Sequence, residues 1–317
     1  MAEARHPSKP PEGGSQRPAH RPTPPTRYRA PQRRSSRPVW LIPTILGLLV
    51  VLLLVFEARR NAAPNQASPA VTTSVIHTMT TLPAAAYNTA GTAGTTSGSL
   101  PILLPTADRA SGAPTLLYMG AEYCPYCAAE RWVLVSALSR FGSFSGLALT
   151  ESSSTDVYPD TPTFTFLHAS FQGPPVTVQT VEMQNRSQQP LQTPTAAQNA
   201  LISKYDAPPY IPAGENAGSI PFILIGGRYV WNTGSQYNPG ILAGLNWSKV
   251  ASDVASGTTV GRTILANANI LSAAICAVDG GQPANVCTSP GVRAGARALP
   301  TTPSVPGGSS SASGASG

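Results

Sequence analysis

Charge is scarce in this chain, and so are the side chains that hold metal ions. Only 11% of its 317 residues are Asp, Glu, Lys or Arg, and it has four histidines and four cysteines. His6 and His20 fall near the N-terminus, while His77 and His168 are isolated. With no histidine close in sequence to a cysteine pair, no local motif supplies a full set of zinc ligands. No metal and no cofactor are expected. A basic face is missing too. The formal charge of +7 comes from residues 1–38, which hold nine Lys or Arg against Glu3 and Glu12. Residues 57–317 hold twelve basic and twelve acidic side chains. A folded part without net positive charge excludes a basic nucleic-acid surface, so no nucleic-acid partner is expected. Both ends are also poor in apolar side chains. Residues 1–38 are rich in Pro, Arg and Ser, and residues 290–317 decay into Gly, Ser, Ala and Pro. Neither end offsets the entropy of ordering, and both are expected to be disordered.

What is present begins with one long apolar run. Residues 39–56, VWLIPTILGLLVVLLLVF, carry no charge over 18 positions. As a helix this run spans about 27 Å, close to the hydrocarbon core of a bilayer. Arg33, Arg34 and Arg37 precede it, which by the positive-inside rule places the N-terminus in the cytoplasm. The expected topology is a single-pass cell-membrane protein with its C-terminal part outside the cytoplasm. A cleaved signal peptide shares these features, but Glu57-Ala58-Arg59-Arg60 follows the run where small residues should stand. A buried core helix is the third reading. Residues 57–100, rich in Ala, Thr, Pro, Ser and Gly, read as a flexible linker averaging roughly 35–40 Å end to end.

The folded part is expected over residues 101–289. Residues 115–119 (TLLYM) read as a buried strand running into Cys124-Pro125-Tyr126-Cys127. Pro125 suits the first turn of a helix, which continues through Trp132, Val135 and Leu138. Residues 146–150 read as the next strand, completing a parallel unit. Residues 163–170 and 176–183 alternate and flank Gly173-Pro174-Pro175, which suggests an inserted hairpin. Helices are expected over 195–205, from Asn238-Pro239 towards Ala255, and over 263–278. Between the first two, Pro221 precedes residues 222–225, Gly226-Gly227 and residues 228–232, a hairpin signal. Without the insertion the order is β-α-β-α-β-β-α with CxxC after the first strand. The expected class is therefore α/β, a thioredoxin-like fold with an inserted segment, an N-terminal transmembrane helix and disordered tails.

Cys124 at a helix N-terminus meets free amides and the positive end of the dipole, which favour its thiolate. Cys127, one turn on, is placed to resolve a mixed disulfide. A structural disulfide, or half of a metal site, are the competing readings of the pair. Cys276 and Cys287 read as a disulfide stapling the chain end, with an electron relay to Cys124 and Cys127 as the alternative. Pro221 is expected to face the active pair from a cis peptide bond; an ordinary trans proline opening a strand is the other reading. Glu122 and Glu130 are possible proton relays to Cys127 if buried, and otherwise solvated or hydrogen-bonded carboxylates. Trp132 and Tyr123 read as packing residues.

The run YMGAEYCPYCAAERWVLVSALSRFGSFSGL at 118–147 resembles the Domain of Unknown Function 929 family of thioredoxin-like proteins. SIPFILIGGRY at 219–229 and ILSAAICAVDGGQPANVC at 270–287 resemble later blocks of that family. Members are often membrane-anchored. The resemblance implies the redox pair Cys124 and Cys127, the loop proline Pro221 and the terminal pair Cys276 and Cys287, and it supplies no substrate. The expected function is an extracytoplasmic thiol–disulfide oxidoreductase. Its partners would be exported protein thiols and disulfides, a separate redox partner, and the membrane through residues 39–56. The alternative is a membrane-tethered binding module with a structural disulfide and no catalysis.

Overall fold

The computed structural model describes residues 41–60, 66–96, 98, 100–105, 115–214 and 217–303. The basic segment 1–38 and residues 304–317, both expected to be disordered, lie outside them. The chain divides into two units, Met1–Leu49 and Val50–Gly317, and the division falls inside helix α1 (Leu41–Arg60). The apolar stretch of α1, Ile42–Glu57, exposes its large side chains, Leu46, Leu52 and Leu54 among them.

In the larger unit the chain runs through α2 (Pro69–Thr80), α3 (Ala84–Ala90), β1 (Ile102–Leu103), β2 (Thr115–Gly120) and α4 (Pro125–Leu138). Short strands follow: β3 (Ser143–Ser145), β4 (Ala148–Glu151), β5 (Pro162–Thr165), β6 (Ser170–Gln172) and β7 (Thr177–Glu182). Then come α5 (Ala196–Tyr205), β8 (Phe222–Ile225), β9 (Tyr229–Trp231) and α6 (Trp247–Ser256). The described chain closes with α7 (Thr259–Val278), α8 (Ala284–Cys287) and α9 (Pro290–Ala298). This is a mixed α/β fold around a mixed sheet of order β1-β9-β8-β2-β7, with β2 parallel to β7 and antiparallel to β8.

Strand β2 has no polar face because both of its faces are covered. Leu116 and Tyr118 join the core that holds α4 and α7, whereas Leu117 and Met119 join Ile202 and Tyr205 of α5 on the other side. The β8–β9 hairpin turns through Gly226 and Gly227, whose φ angles of 55° and 59° are left-handed. A Cβ at Gly226 would also meet the Val278 side chain at 2.8 Å. Helix α5 begins at the Thr195–Gln198 capping box.

Several expectations are corrected. The parallel partner of β2 is β7, not residues 146–150; β4 instead pairs antiparallel with β5 outside the main sheet. The segments 163–170 and 176–183 do not form a hairpin with each other, since β6 pairs with β3 and β7 with β2. The helix expected after Asn238 is split into a short 3-10 turn, Pro239–Leu242, and α6, which Asn246 caps. Within the expected linker, α2 and α3 are ordered helices that bury Val75, Met79 and Tyr87. Within the expected C-terminal tail, α9 is a helix that buries Val292. Both segments are tied to α7. The Asn269 amide donates to the Tyr87 and Gly91 carbonyls at 2.8 Å, and Gly291 and Gly295 let α9 approach Asn269 more closely than any Cβ allows. Helix α7 is the described helix long and apolar enough to cross a membrane, yet 72% of that stretch is buried in this core.

Candidate active site

The site is built where β2 ends. The Glu122 amide donates to the Gln184 carbonyl and the Met183 amide to the Gly120 carbonyl, both at 2.8 Å. The Tyr123 carbonyl accepts from the Ser153 amide, also at 2.8 Å. These bonds fix the turn that delivers Cys124 to the start of α4, with Pro125 in its first turn. Helix α4 is then clamped along its length. Thr163 donates to the Ala128 carbonyl and Trp132 Nε1 to the Pro162 carbonyl, each at 2.8 Å, and the Tyr237 hydroxyl donates to Ala129 at 2.9 Å.

Cys124 and Cys127 are free thiols. Cys124 is the N-cap of α4, its sulfur accepting the Cys127 amide at 3.2 Å. Both residues are buried, but Cys124 retains 6% exposure and Cys127 none, so Cys124 is the outer of the two. The electrostatics separate them in the same sense. The Cys124 thiol is held below its ordinary range, chiefly by its hydrogen bond with Cys127 and, against the cost of burial, by the amides of Cys127 and Tyr126 and the charge of Arg131. Burial, then the bond and charge of Cys124, push the Cys127 thiol well up. The two sulfurs thus divide into an ionisable outer one and a protonated inner one.

Across from Cys124 lies the Ile220–Pro221 loop. The Ile220–Pro221 peptide is cis, and the Ile220 carbonyl stands 3.8 Å from Cys124 Sγ. Beside the sulfur, Tyr126 is 38% exposed and meets Tyr158 edge to face, with the exposed Val157 next in sequence. The structure therefore brings Cys124, Cys127 and the residue before Pro221 together. Glu130 is buried, but its carboxylate faces the Gln236 amide and side-chain nitrogen at 3.0 and 2.8 Å. Burial pushes its pKa up to about 7. Glu122 is half-buried and accepts from the Thr165 hydroxyl at 2.7 Å. Trp132 is fully buried against Phe164. Cys276 and Cys287 are joined in a disulfide with their Cα atoms 5.6 Å apart. Among the described residues, no group of three or more His, Cys, Asp or Glu could hold a metal ion.

Sequence reasoning passed over Arg131 and Glu182. Arg131 is fully buried and donates from Nε and Nη2 to the two Glu182 oxygens at 2.9 and 2.6 Å. Nη2 also reaches the Ala121 carbonyl at 2.9 Å. The available signal was an arginine four residues after Cys127, beside Glu130 in a helix that is otherwise almost wholly apolar.

A mixed α/β protein presenting a free dithiol at the head of a buried helix is thus what the fold and the site define. The chain belongs to the family described as domain of unknown function 929 (DUF929), whose model matches residues 105–277. That match takes in Cys124, Cys127, Pro221 and Cys276 and stops short of Cys287. No curated protein and no solved structure matches the chain.

Proposed function

We propose that this protein is a thioredoxin-like thiol–disulfide oxidoreductase that acts outside the cytoplasm on exported proteins, held at the cell membrane by residues 39–56. The observation that carries the reading is the contrast between the two sulfurs of one motif. The outer one caps a helix and is drawn towards thiolate; the inner one is sealed and held as thiol. Exchange requires this order of reactivity. The Cys124 thiolate attacks one sulfur of a partner disulfide, and the electron pair of the broken S–S bond leaves on the other partner sulfur. Cys127 then displaces the remaining partner sulfur and closes the Cys124–Cys127 disulfide. The partner gains two electrons and the CPYC pair loses them; run backwards, the same steps oxidise a partner dithiol.

The thioredoxin-like reading is supported by the central strand that runs into CxxC, the helix it caps, and the Ile220–Pro221 loop leading into the β8–β9 hairpin beside it. A partner bound at Cys124 would lie beside the Ile220 carbonyl, with Tyr126, Tyr158 and Val157 as an apolar border. Anchoring by residues 39–56 is supported by the charge-free run and the arginines that precede it.

The test is insulin reduction and refolding of a scrambled disulfide substrate by the full-length chain and by Cys124→Ser. Wild type should turn over both substrates and Cys124→Ser neither. Equal behaviour of the two proteins would favour a tethered binding module, a reading that the low exposure of Cys124 keeps in view.

A further inference from the structure

The fully buried Arg131–Glu182 pair ties α4 to β7, and Glu182 also accepts the Phe166 amide at 3.3 Å, but burying both charges is costly. Buried ion pairs seldom stabilise a protein beyond what apolar residues of the same size achieve. This one also leaves a donor unused. Arg131 Nε and Nη2 are taken by Glu182 and Ala121, but Nη1 is buried without a hydrogen-bond partner. So is the hydroxyl of Tyr118, whose ring lies 5.8 Å from the guanidinium carbon. Two buried polar atoms without a protein partner, side by side, point to something they serve.

That space adjoins Cys127. Arg131 follows Cys127 by four residues on α4, which stacks the two side chains one turn apart on the same face. The Ala121 backbone touches both, hydrogen-bonding the Cys127 sulfur and accepting from Arg131 Nη2. The titratable groups facing the two sulfurs and the guanidinium are Cys124 from the N-cap, Tyr123 from the turn before it, Tyr118 from β2 and Glu182 from β7. Arg131 alone among them carries positive charge.

We propose, resting on the oxidoreductase reading, that Arg131 is a positioning residue for resolution of the mixed disulfide: its fixed, partly unpaired guanidinium supplies the charge against which the Cys127 sulfur ionises. Guanidinium does not give up a proton in proteins, so Arg131 acts by field and not as a base. In the step it serves, the Cys127 S–H bond breaks and its sulfur forms a bond to Cys124 Sγ. The bond from Cys124 to the partner breaks, and the electron pair leaves on the partner sulfur, which takes up the proton released by Cys127. Glu182 holds the guanidinium in place and moderates its charge.

The experiment follows the full-length reduced chain as it reacts with glutathione disulfide, by rapid acid quench, so that mixed-disulfide formation and its resolution are timed separately. In Arg131→Met/Glu182→Gln both charges are removed together. A nearby charge shifts a thiol by about one to three units, and lost thiolate is partly offset by higher nucleophilicity, so resolution should slow about tenfold. Its half-maximal pH should rise, while mixed-disulfide formation stays within about threefold, because Cys124 keeps its helix amides. Arg131→Lys, which keeps the charge, should restore most of the resolution rate. A folded double variant that resolves at the wild-type rate, or that slows both steps equally, overturns the proposal. If the double variant does not fold, Glu182→Gln carries the test in the opposite sense. With the counter-charge gone, the half-maximal pH of resolution should fall by about one unit, and an unchanged profile overturns the proposal. If wild type forms no mixed disulfide at Cys124, the oxidoreductase reading itself fails, which is a different result.

Discussion

The two cysteine pairs of this chain stand at opposite kinds of helix end. Cys124 caps the N-terminus of α4, where amides converge on its sulfur; Cys276 lies in the last turn of α7, and Cys287 at the end of α8 has its sulfur 3.5 Å from the Gln282 carbonyl. Amides and the positive end of a helix favour a thiolate, while carbonyls and the negative end oppose it. Beneath the first pair lies a buried guanidinium; the second is bonded and half-exposed. The same side chain is thereby held as a free, ionisable thiol at one place and as a covalent brace at the other. What distinguishes them is the direction of the surrounding dipoles, which the one-dimensional spacing only partly reveals.

The strongest way to break this comparison is to remove the second pair. Cys276→Ser/Cys287→Ser opens a loop with a sequence separation of 11 residues. The chain-entropy argument puts the loss at about 3 kcal/mol. Denaturant unfolding of the full-length chain should show it, while insulin reduction continues at the wild-type rate. A fall in activity without a fall in stability would instead make the terminal pair an electron relay.

A slightly smaller effect sharpens the contrast from the side of α4. Glu130 shares that helix with the CPYC pair, and burial raises its pKa from 4.5 to about 7. The folded state therefore holds a proton that the unfolded state releases at lower pH. The stability this provides is fully present below pH 4.5 and is lost as pH rises through about 7. The slope amounts to on the order of 2–3 kcal/mol for a group this deeply buried. Glu130→Gln should flatten that part of the profile, as read by urea midpoints between pH 4 and 8. An unaltered slope would mean that another group carries it.

These contrasts also mark what the sequence disclosed. CxxC, the proline before the hairpin and the Gly-Gly turn are local signals; the structure brings the first two together and puts the turn at the far end of β8. Strand partners are not local. Residues 146–150 look like a parallel strand because they follow a helix, but β4 finds β5 while β7, more than twenty residues further on, takes the place beside β2. Composition misled at both ends of the larger unit. The Ala- and Thr-rich stretch before residue 100 hides Met79 and Tyr87 among small residues, and both are core side chains. The glycines of α9 read as disorder, yet Gly291 and Gly295 are the close-contact positions of a packed helix. Arg131 was invisible for the opposite reason. A charge in an apolar helix reads as solvated until its partner, Glu182, is found fifty-one residues away.

The smallest expected effect isolates what Cys124 contributes as a cap rather than as a nucleophile. Its sulfur accepts the Cys127 amide at 3.2 Å, the position a serine hydroxyl occupies in an ordinary N-cap. Cys124→Ser therefore keeps an acceptor for that amide, and Cys124→Ala leaves it without one. Both variants are expected to be inactive, but the alanine protein should be less stable than the serine protein by about 1 kcal/mol. At the other pair no such difference is expected, because Cys287 sits at the C-terminal end of α8, where side-chain acceptors cap nothing. Equal unfolding midpoints for the two Cys124 variants would mean that the sulfur does not cap α4, and the electrostatic half of the contrast would then rest on the Cys127 thiol, Arg131 and the Tyr126 amide.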